Sequence, residues 1–298
     1  MKKDRNYLEP STISKLSRMD LKARLVVEGF ITGLHRSPYH GFSVEFAEHR
    51  QYMPGDEIKH IDWKVYGKSD RFYIKQYEEE TNLKSYILLD ASASMAYQSE
   101  KTISKLEYGS YLAAALAYLM LRQQDAVGLV TFDENIRTFI PPKASISHIH
   151  MILKELDNLK AGGRTQVSDT FHQLAEKIKR RGLIIVISDL FDDPEKLLGG
   201  LKHFRHRKHE VIVFHVLDRY EREFPFDREA VFEDMETGER ILTQPWQIRA
   251  EYQDRLRKLS KEYRLKCRER LIDYVPIHTE TPYDVSLLAF LGKRQRLN

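Results

Sequence analysis

After residue 80 the apolar positions alternate between short unbroken runs and longer stretches with helical spacing. Residues 84–89 (KSYILL) form an apolar run ending in Asp90, and residues 126–132 (AVGLVTF), 183–188 (LIIVIS) and 210–217 (EVIVFHVL) repeat the pattern. Runs of this length, apolar on both faces, predict buried strands. Residues 103–124, rich in Ala and Leu, predict a helix, as do 146–158 and 168–180 on either side of Ala161-Gly162-Gly163. Residues 135–140 (NIRTFI) read as a short edge strand stopped by Pro141-Pro142. Pro194 fits the first turn of a helix over 194–206. A hairpin over 229–243 turning at Thr237-Gly238, a long charged helix over 246–268, a strand over 271–277 and a helix over 284–293 complete the chain. Strands alternating with helices predict an α/β fold, a doubly wound, mostly parallel sheet flanked by helices and Rossmann-like in plan.

The first 80 residues break the pattern. Residues 13–28 suggest a helix, after which Gly29, Gly33, Pro38, Gly41, Pro54 and Gly55 are interleaved with aromatic residues. We read 1–80 as an irregular, β-leaning N-terminal extension packed on a main domain of residues 81–298, since it has no long apolar run of its own.

Composition narrows the class. The 298 residues carry 48 Lys and Arg against 44 Asp and Glu, a net charge of +4 that does not argue for nucleic acid. A hydrophobic fraction of 42% excludes a disordered chain. With one cysteine, Cys267, neither an intramolecular disulfide nor a Cys-based zinc site can form. The N-terminus has basic residues with no apolar stretch behind them, unlike a secretory signal. The longest apolar run, Tyr111 to Leu121, is about half the ~20 residues of a membrane span. These features point to a cytoplasmic protein with no membrane span.

In open α/β sheets, ligands sit at the carboxyl ends of the strands. The first strand ends in Asp90-Ala91-Ser92-Ala93-Ser94, the loop after the second helix supplies Gly162-Gly163-Arg164-Thr165, and the strand over 183–188 ends in Asp189. Any one of these residues could simply cap a helix. Five oxygen donors in this order, without sulfur or imidazole, suit a hard cation, Mg²⁺ or alternatively Mn²⁺ or Ca²⁺.

Asp90, Ser92, Ser94, Thr165 and Asp189 resemble the metal-ion-dependent adhesion site of von Willebrand factor A domains. Upstream, GFSVEF at 41–46, RQYMPGDE at 50–57, Ile61-Asp62-Trp63 and Lys75-Gln76-Tyr77-Glu78 resemble the signature of the bacterial domain-of-unknown-function family 58. The resemblance runs from about Phe30 to about Gly292. It implies that Ser92, Ser94 and Thr165 ligate the metal through their hydroxyls, while Asp90 and Asp189 act largely through water or hydrogen bonds. It further implies an open coordination position filled by an acidic residue of a partner protein, a MoxR-type AAA+ ATPase or its client, and an adaptor or assembly role without catalysis.

The rival expectation is a Mg²⁺-dependent phosphatase of the haloacid dehalogenase class, because Asp90, Thr165, Asp189, Asp192 and Asp193 imitate its order of residues. Those enzymes use a second Asp two residues after the nucleophile as general acid, where this chain has Ser92. The cluster Glu45, Glu48, His49, Arg50, Asp56, His60, Asp62 and Trp63 reads as structural, with Arg50 and Asp62 as an expected ion pair and the same surface as an alternative docking site. The basic runs at 202–209 and 249–270 read as solvated helix faces. The chain has no phosphate-binding loop of the Walker type, so it is not itself the ATPase.

Overall fold

The structure is a computed structural model that describes residues 10–14, 16, 18–35, 49–51, 67, 73–75, 84–100, 102–164 and 167–295. The chain divides into two compact units, residues 1–32 with 83–298, and residues 33–82. Within the smaller unit, β1 (His49–Gln51) pairs antiparallel with β2 (Tyr73–Lys75). Asp62, the expected partner of Arg50, lies outside the described residues, as does most of the 41–78 signature. The larger unit begins with α1 (Pro10–Ile13) and α2 (Met19–His35). The helix expected to end at 28 instead continues through Gly29 and Gly33 to His35. A single glycine costs a helix only about 1 kcal/mol, and the buried stripe Ala23, Val26, Val27 and Phe30 outweighs it.

The sheet of the larger unit has six strands. These are β3 (Lys84–Asp90), β4 (Ala126–Phe132), β5 (Ile136–Lys143), β6 (Leu183–Ser188), β7 (Glu210–Leu217) and, last in the chain, β10 (Ile272–His278). Their order is β10-β7-β6-β3-β4-β5. All pairs are parallel except β4 with β5. From β3 the chain winds outward to β5, then crosses back to β6 and winds the other way. The reversal leaves a switch point between β3 and β6, where the crossovers on the two sides diverge and open a crevice. Every residue of β4 and β6 is buried, as the apolar runs predict.

Helices α3 (Lys105–Arg122), α4 (His148–Asn158), α5 (Val167–Lys177), α6 (Pro194–His206) and α7 (Arg219–Glu223) connect these strands. Nearly all of α3 is buried, which explains its Ala- and Leu-rich composition. Phe132, Phe171 and Phe204 stack edge to face at 5.6 and 5.7 Å and join the sheet to α5 and α6. The expected hairpin forms from β8 (Ala230–Glu233) and β9 (Arg240–Thr243), with Phe232 packed on Phe224 and Phe226. The charged helix α8 (Pro245–Glu269) and α9 (Tyr283–Gln295) close the unit. Arg249 of α8 bonds the carbonyls of Phe224 and Phe226, so part of its basic face is a structural staple. Among the described residues, no helix is long and apolar enough to cross a membrane.

One expectation fails at β5, which passes through Pro141-Pro142 instead of stopping before them. The strand lies at the sheet's edge and bulges there, and the register slips between Val127 and Leu129. Gly128 makes room for the bulge, since a Cβ at that position would lie 2.5 Å from the Ile140 carbonyl oxygen and 2.9 Å from the Pro142 nitrogen. Successive N–H groups of a strand point to opposite sides, so the open edge accommodates one proline and the bulge, where neither Pro141 nor Pro142 is paired, accommodates the other.

Candidate functional site

The switch point brings the ends of β3 and β6 together, and both end in carboxylates or hydroxyls. Asp90 is fully buried. Its Oδ1 accepts the Ser92 amide at 2.9 Å and its Oδ2 accepts the Ser188 hydroxyl at 2.6 Å. The Ser92 and Ser94 hydroxyl oxygens are 3.1 Å apart at the head of a short 3-10 turn, Ala93–Ala96. The loop carrying the paired glycines is tied to this turn. The Gly162 amide donates to the Ala91 carbonyl at 2.9 Å, and the Ala93 amide donates to the Gly163 carbonyl at 3.0 Å. Gly163 has φ +75°, a backbone that favours glycine, and a Cβ there would sit 2.6 Å from Asp133 Oδ2 and force that carboxylate to shift. Thr165 lies outside the described residues.

Asp189 is also fully buried. Its Oδ1 accepts the Phe191 amide at 3.3 Å, and its Oδ2 accepts the Lys105 ammonium at 2.7 Å. Leu190 beside it is held at φ +56°, an uncommon conformation for a branched side chain. Ser188 Oγ accepts the Leu190 amide at 2.9 Å, and Tyr263 donates to the Leu190 carbonyl at 3.2 Å. The rim after β6 is therefore a strained turn held on two sides.

Sequence reasoning missed the polar residues behind this rim. Lys105, wholly buried, bonds Glu221 Oε1 at 2.5 Å as well as Asp189. Glu221 Oε2 in turn accepts the Asp218 amide at 2.8 Å, in a capping box at the start of α7. Asp218 Oδ2 accepts from the Ser99 amide and from the Thr102 and Thr279 hydroxyls at 3.1–3.3 Å. One network thus joins the ends of β6, β7 and β10. A signal for Lys105 exists in the sequence. It sits at helical spacing from Tyr108, Leu112 and Leu116, at the head of the buried stripe of α3.

The electrostatics are unbalanced. Burial first, and then the neighbouring charge of Asp189, push the Asp90 carboxyl up to about 7, against the hydrogen bonds from Ser188 and Ser92. Burial likewise raises Glu221. Burial works against the Lys105 charge, but Asp189 and Glu221 outweigh it and lift its pKa above the ordinary lysine value. With all groups ionised, the carboxylates of Asp90, Asp189, Asp218 and Glu221 face one buried ammonium, an excess of three negative charges. Buried His215 does not offset it, because burial pushes its pKa down to about 4 and it stays neutral.

The donors fit a hard divalent cation. The Ser92 and Ser94 hydroxyls are hydrogen-bonded to each other at 3.1 Å, a spacing that the edge of an Mg²⁺ octahedron, about 3.0 Å for bonds of about 2.1 Å, would also accept. Among the described residues no group of three or more His, Cys, Asp or Glu could hold a metal ion, so an ion at this rim would depend on the serine and threonine hydroxyls. The acids that imitate a phosphatase are engaged elsewhere. Asp193 caps α6 through the Glu195 and Lys196 amides, and Asp192 accepts from the Ser168 and Asp193 amides. Cys267 is buried, its thiol pushed up to about 12 by burial, and it packs as an apolar residue.

Comparisons with known proteins agree with this architecture. An uncharacterized protein of Mycobacterium tuberculosis is 26% identical over 233 residues, 77% of this chain and 73% of its own length. The same figures hold for an uncharacterized protein of Mycobacterium bovis. The crystal structure of the conserved hypothetical protein BatB from Bacteroides thetaiotaomicron, 17% identical, superposes with a TM-score of 0.50, covering 72% of this chain and 100% of that one, and shares the fold. The family model described as "Protein of unknown function DUF58" matches residues 48–262, which is most of the chain and includes every rim residue from Asp90 to Asp189. On that match the chain belongs to the DUF58 family.

Proposed function

We propose that this chain is a divalent-metal-dependent protein–protein interaction module, an adaptor or assembly partner of a MoxR-type AAA+ ATPase or of its client. Ser92, Ser94 and Thr165 would hold Mg²⁺, or Mn²⁺ or Ca²⁺, through their hydroxyls. Asp90 and Asp189 would support it through water and hydrogen bonds. The observation that carries the reading is Asp90, a fully buried carboxylate without a cationic partner among the described residues, beside two hydroxyls at octahedral-edge spacing.

The bound ion would supply a fixed positive pole at the rim, with a position open to an outside carboxylate. The protein's own residues do the rest. Ser188 and the Ser92 amide aim the Asp90 carboxylate. Gly162 and Gly163 hold the loop that carries Thr165 against the first strand's end. The turn at Leu190 keeps Asp189 at the same rim.

The test is affinity capture from a native extract with wild type or Asp90→Ala as bait, each in Mg²⁺ and in EDTA. An AAA+ ATPase retained only by wild type in Mg²⁺ is the expected result. Retention indifferent to both the substitution and EDTA would refute the metal bridge.

A further inference from the structure

Lys105 has no place in the adhesion-site motif, yet among the described residues no charged group is more deeply enclosed. Its side chain has 0% exposure and its ammonium touches Asp189 at 2.7 Å and Glu221 at 2.5 Å. The Phe191 ring lies 4.7 Å from it and the Tyr97 ring 5.8 Å. Glu221 is itself held by its second oxygen to the end of β7. The ammonium is therefore fixed between two carboxylates, one on the metal rim and one behind it.

We propose that Lys105 is the rim's built-in counter-cation and sets its metal affinity by competing for Asp189. This rests on the metal reading above. The geometry gives the competition a direction. Asp189 Oδ2 is already taken by the ammonium at 2.7 Å, so an incoming ion would share that oxygen or draw on Oδ1, which has only the long 3.3 Å bond from the Phe191 amide. Ammonium and dication would share one carboxylate in a dry interior, where their repulsion is poorly screened. Glu221 moderates the contest because it draws the ammonium away from the rim.

The two ends of this network therefore predict opposite effects. Removing the ammonium leaves Asp189 wholly available, so metal binds more tightly, while the metal-free fold loses the charge that neutralised two carboxylates. Removing the Glu221 charge commits the ammonium to Asp189, so metal binds more weakly. A residue that merely packed the core would weaken binding whenever it was changed.

The experiment titrates Mn²⁺ alone into wild type, Asp90→Ala, Lys105→Met and Glu221→Gln, read by electron paramagnetic resonance of the free ion, with guanidinium midpoints measured in EDTA and in Mg²⁺. Saturable binding by wild type that Asp90→Ala abolishes establishes the rim site independently of Lys105. The proposal then expects Lys105→Met to bind at least tenfold more tightly and to regain in Mg²⁺ the stability it loses in EDTA. It expects Glu221→Gln to bind severalfold more weakly. Binding by Lys105→Met equal to or weaker than wild type overturns it. Should that variant fail to fold even in Mg²⁺, unchanged or tighter binding by Glu221→Gln overturns it just as firmly. Absence of saturable binding by wild type overturns the metal reading and this proposal with it.

Discussion

Replacing Asp90 by Asn should stabilise the metal-free protein at alkaline pH and at the same time abolish its response to Mg²⁺. The carboxyl is wholly buried and gives up its proton at about pH 7 in the fold, against about 3.9 in the unfolded chain. A folded pKa above the unfolded one means that the folded state binds the proton more tightly. Stability is then greatest below about pH 4, falls as the pH rises to about 7, and is flat above that. At pH 8 the ionised Asp90 costs the fold on the order of 4 kcal/mol. The amide removes that cost but turns an NH₂ group toward either Ser188 or Ser92, losing about 1–2 kcal/mol of hydrogen bonding. The net gain is about 2–3 kcal/mol, or roughly 5–10 °C in Tm for a chain of this size. Guanidinium denaturation in EDTA at pH 8 and pH 5 measures it. The variant should lead wild type at pH 8 and lose that lead toward pH 5, and Mg²⁺ should raise wild type alone. A variant less stable than wild type in EDTA at pH 8 would refute the argument from an uncompensated buried charge.

Gly163→Ala should cost about 2–3 kcal/mol, from the left-handed backbone and the 2.6 Å approach to Asp133, and should weaken Mn²⁺ binding because the displaced loop carries Thr165. Circular-dichroism melts and the same Mn²⁺ titration check both parts. His215 should stay neutral to about pH 5. Its folded pKa of about 4 lies below the unfolded value of about 6.5, so its contribution of about 3 kcal/mol is complete above 6.5 and is lost as the pH falls toward 4. Ring resonances followed by NMR from pH 8 to 4.5 would show an ordinary titration near 6.5 if the burial argument is wrong.

The sheet was legible because its strands are buried on both faces. Each fully apolar run became a strand within a residue or so of its expected bounds, and strand ends are where α/β sheets place their chemistry. Asp90, Ser92, Ser94 and Asp189 stand at or just past those strand ends, where the sequence placed them. Prolines and glycines misled at Pro141-Pro142 and at Gly29 and Gly33, where an edge bulge and a buried helical stripe overrode local preference. The network behind the rim was hidden for a different reason. Lys105 follows the N-cap Ser104 and precedes Glu107, which locally looks like an ordinary solvated first turn. Only the meeting of β6, β7 and α3, set by contacts 84 and 116 residues apart in sequence, encloses it.

The prolines of β5 have a counterpart at the opposite side of the sheet, where β10 carries Pro276. Both outermost strands are thus interrupted by residues that cannot donate a main-chain hydrogen bond. A flat, fully paired border invites an extended segment of another chain to add itself as a further strand. Here neither border offers an unbroken template, so recruitment by strand addition is discouraged on both flanks, and with it edge-to-edge aggregation. Under the proposed binding role, sides closed in this way would confine attachment to the end where the strands stop.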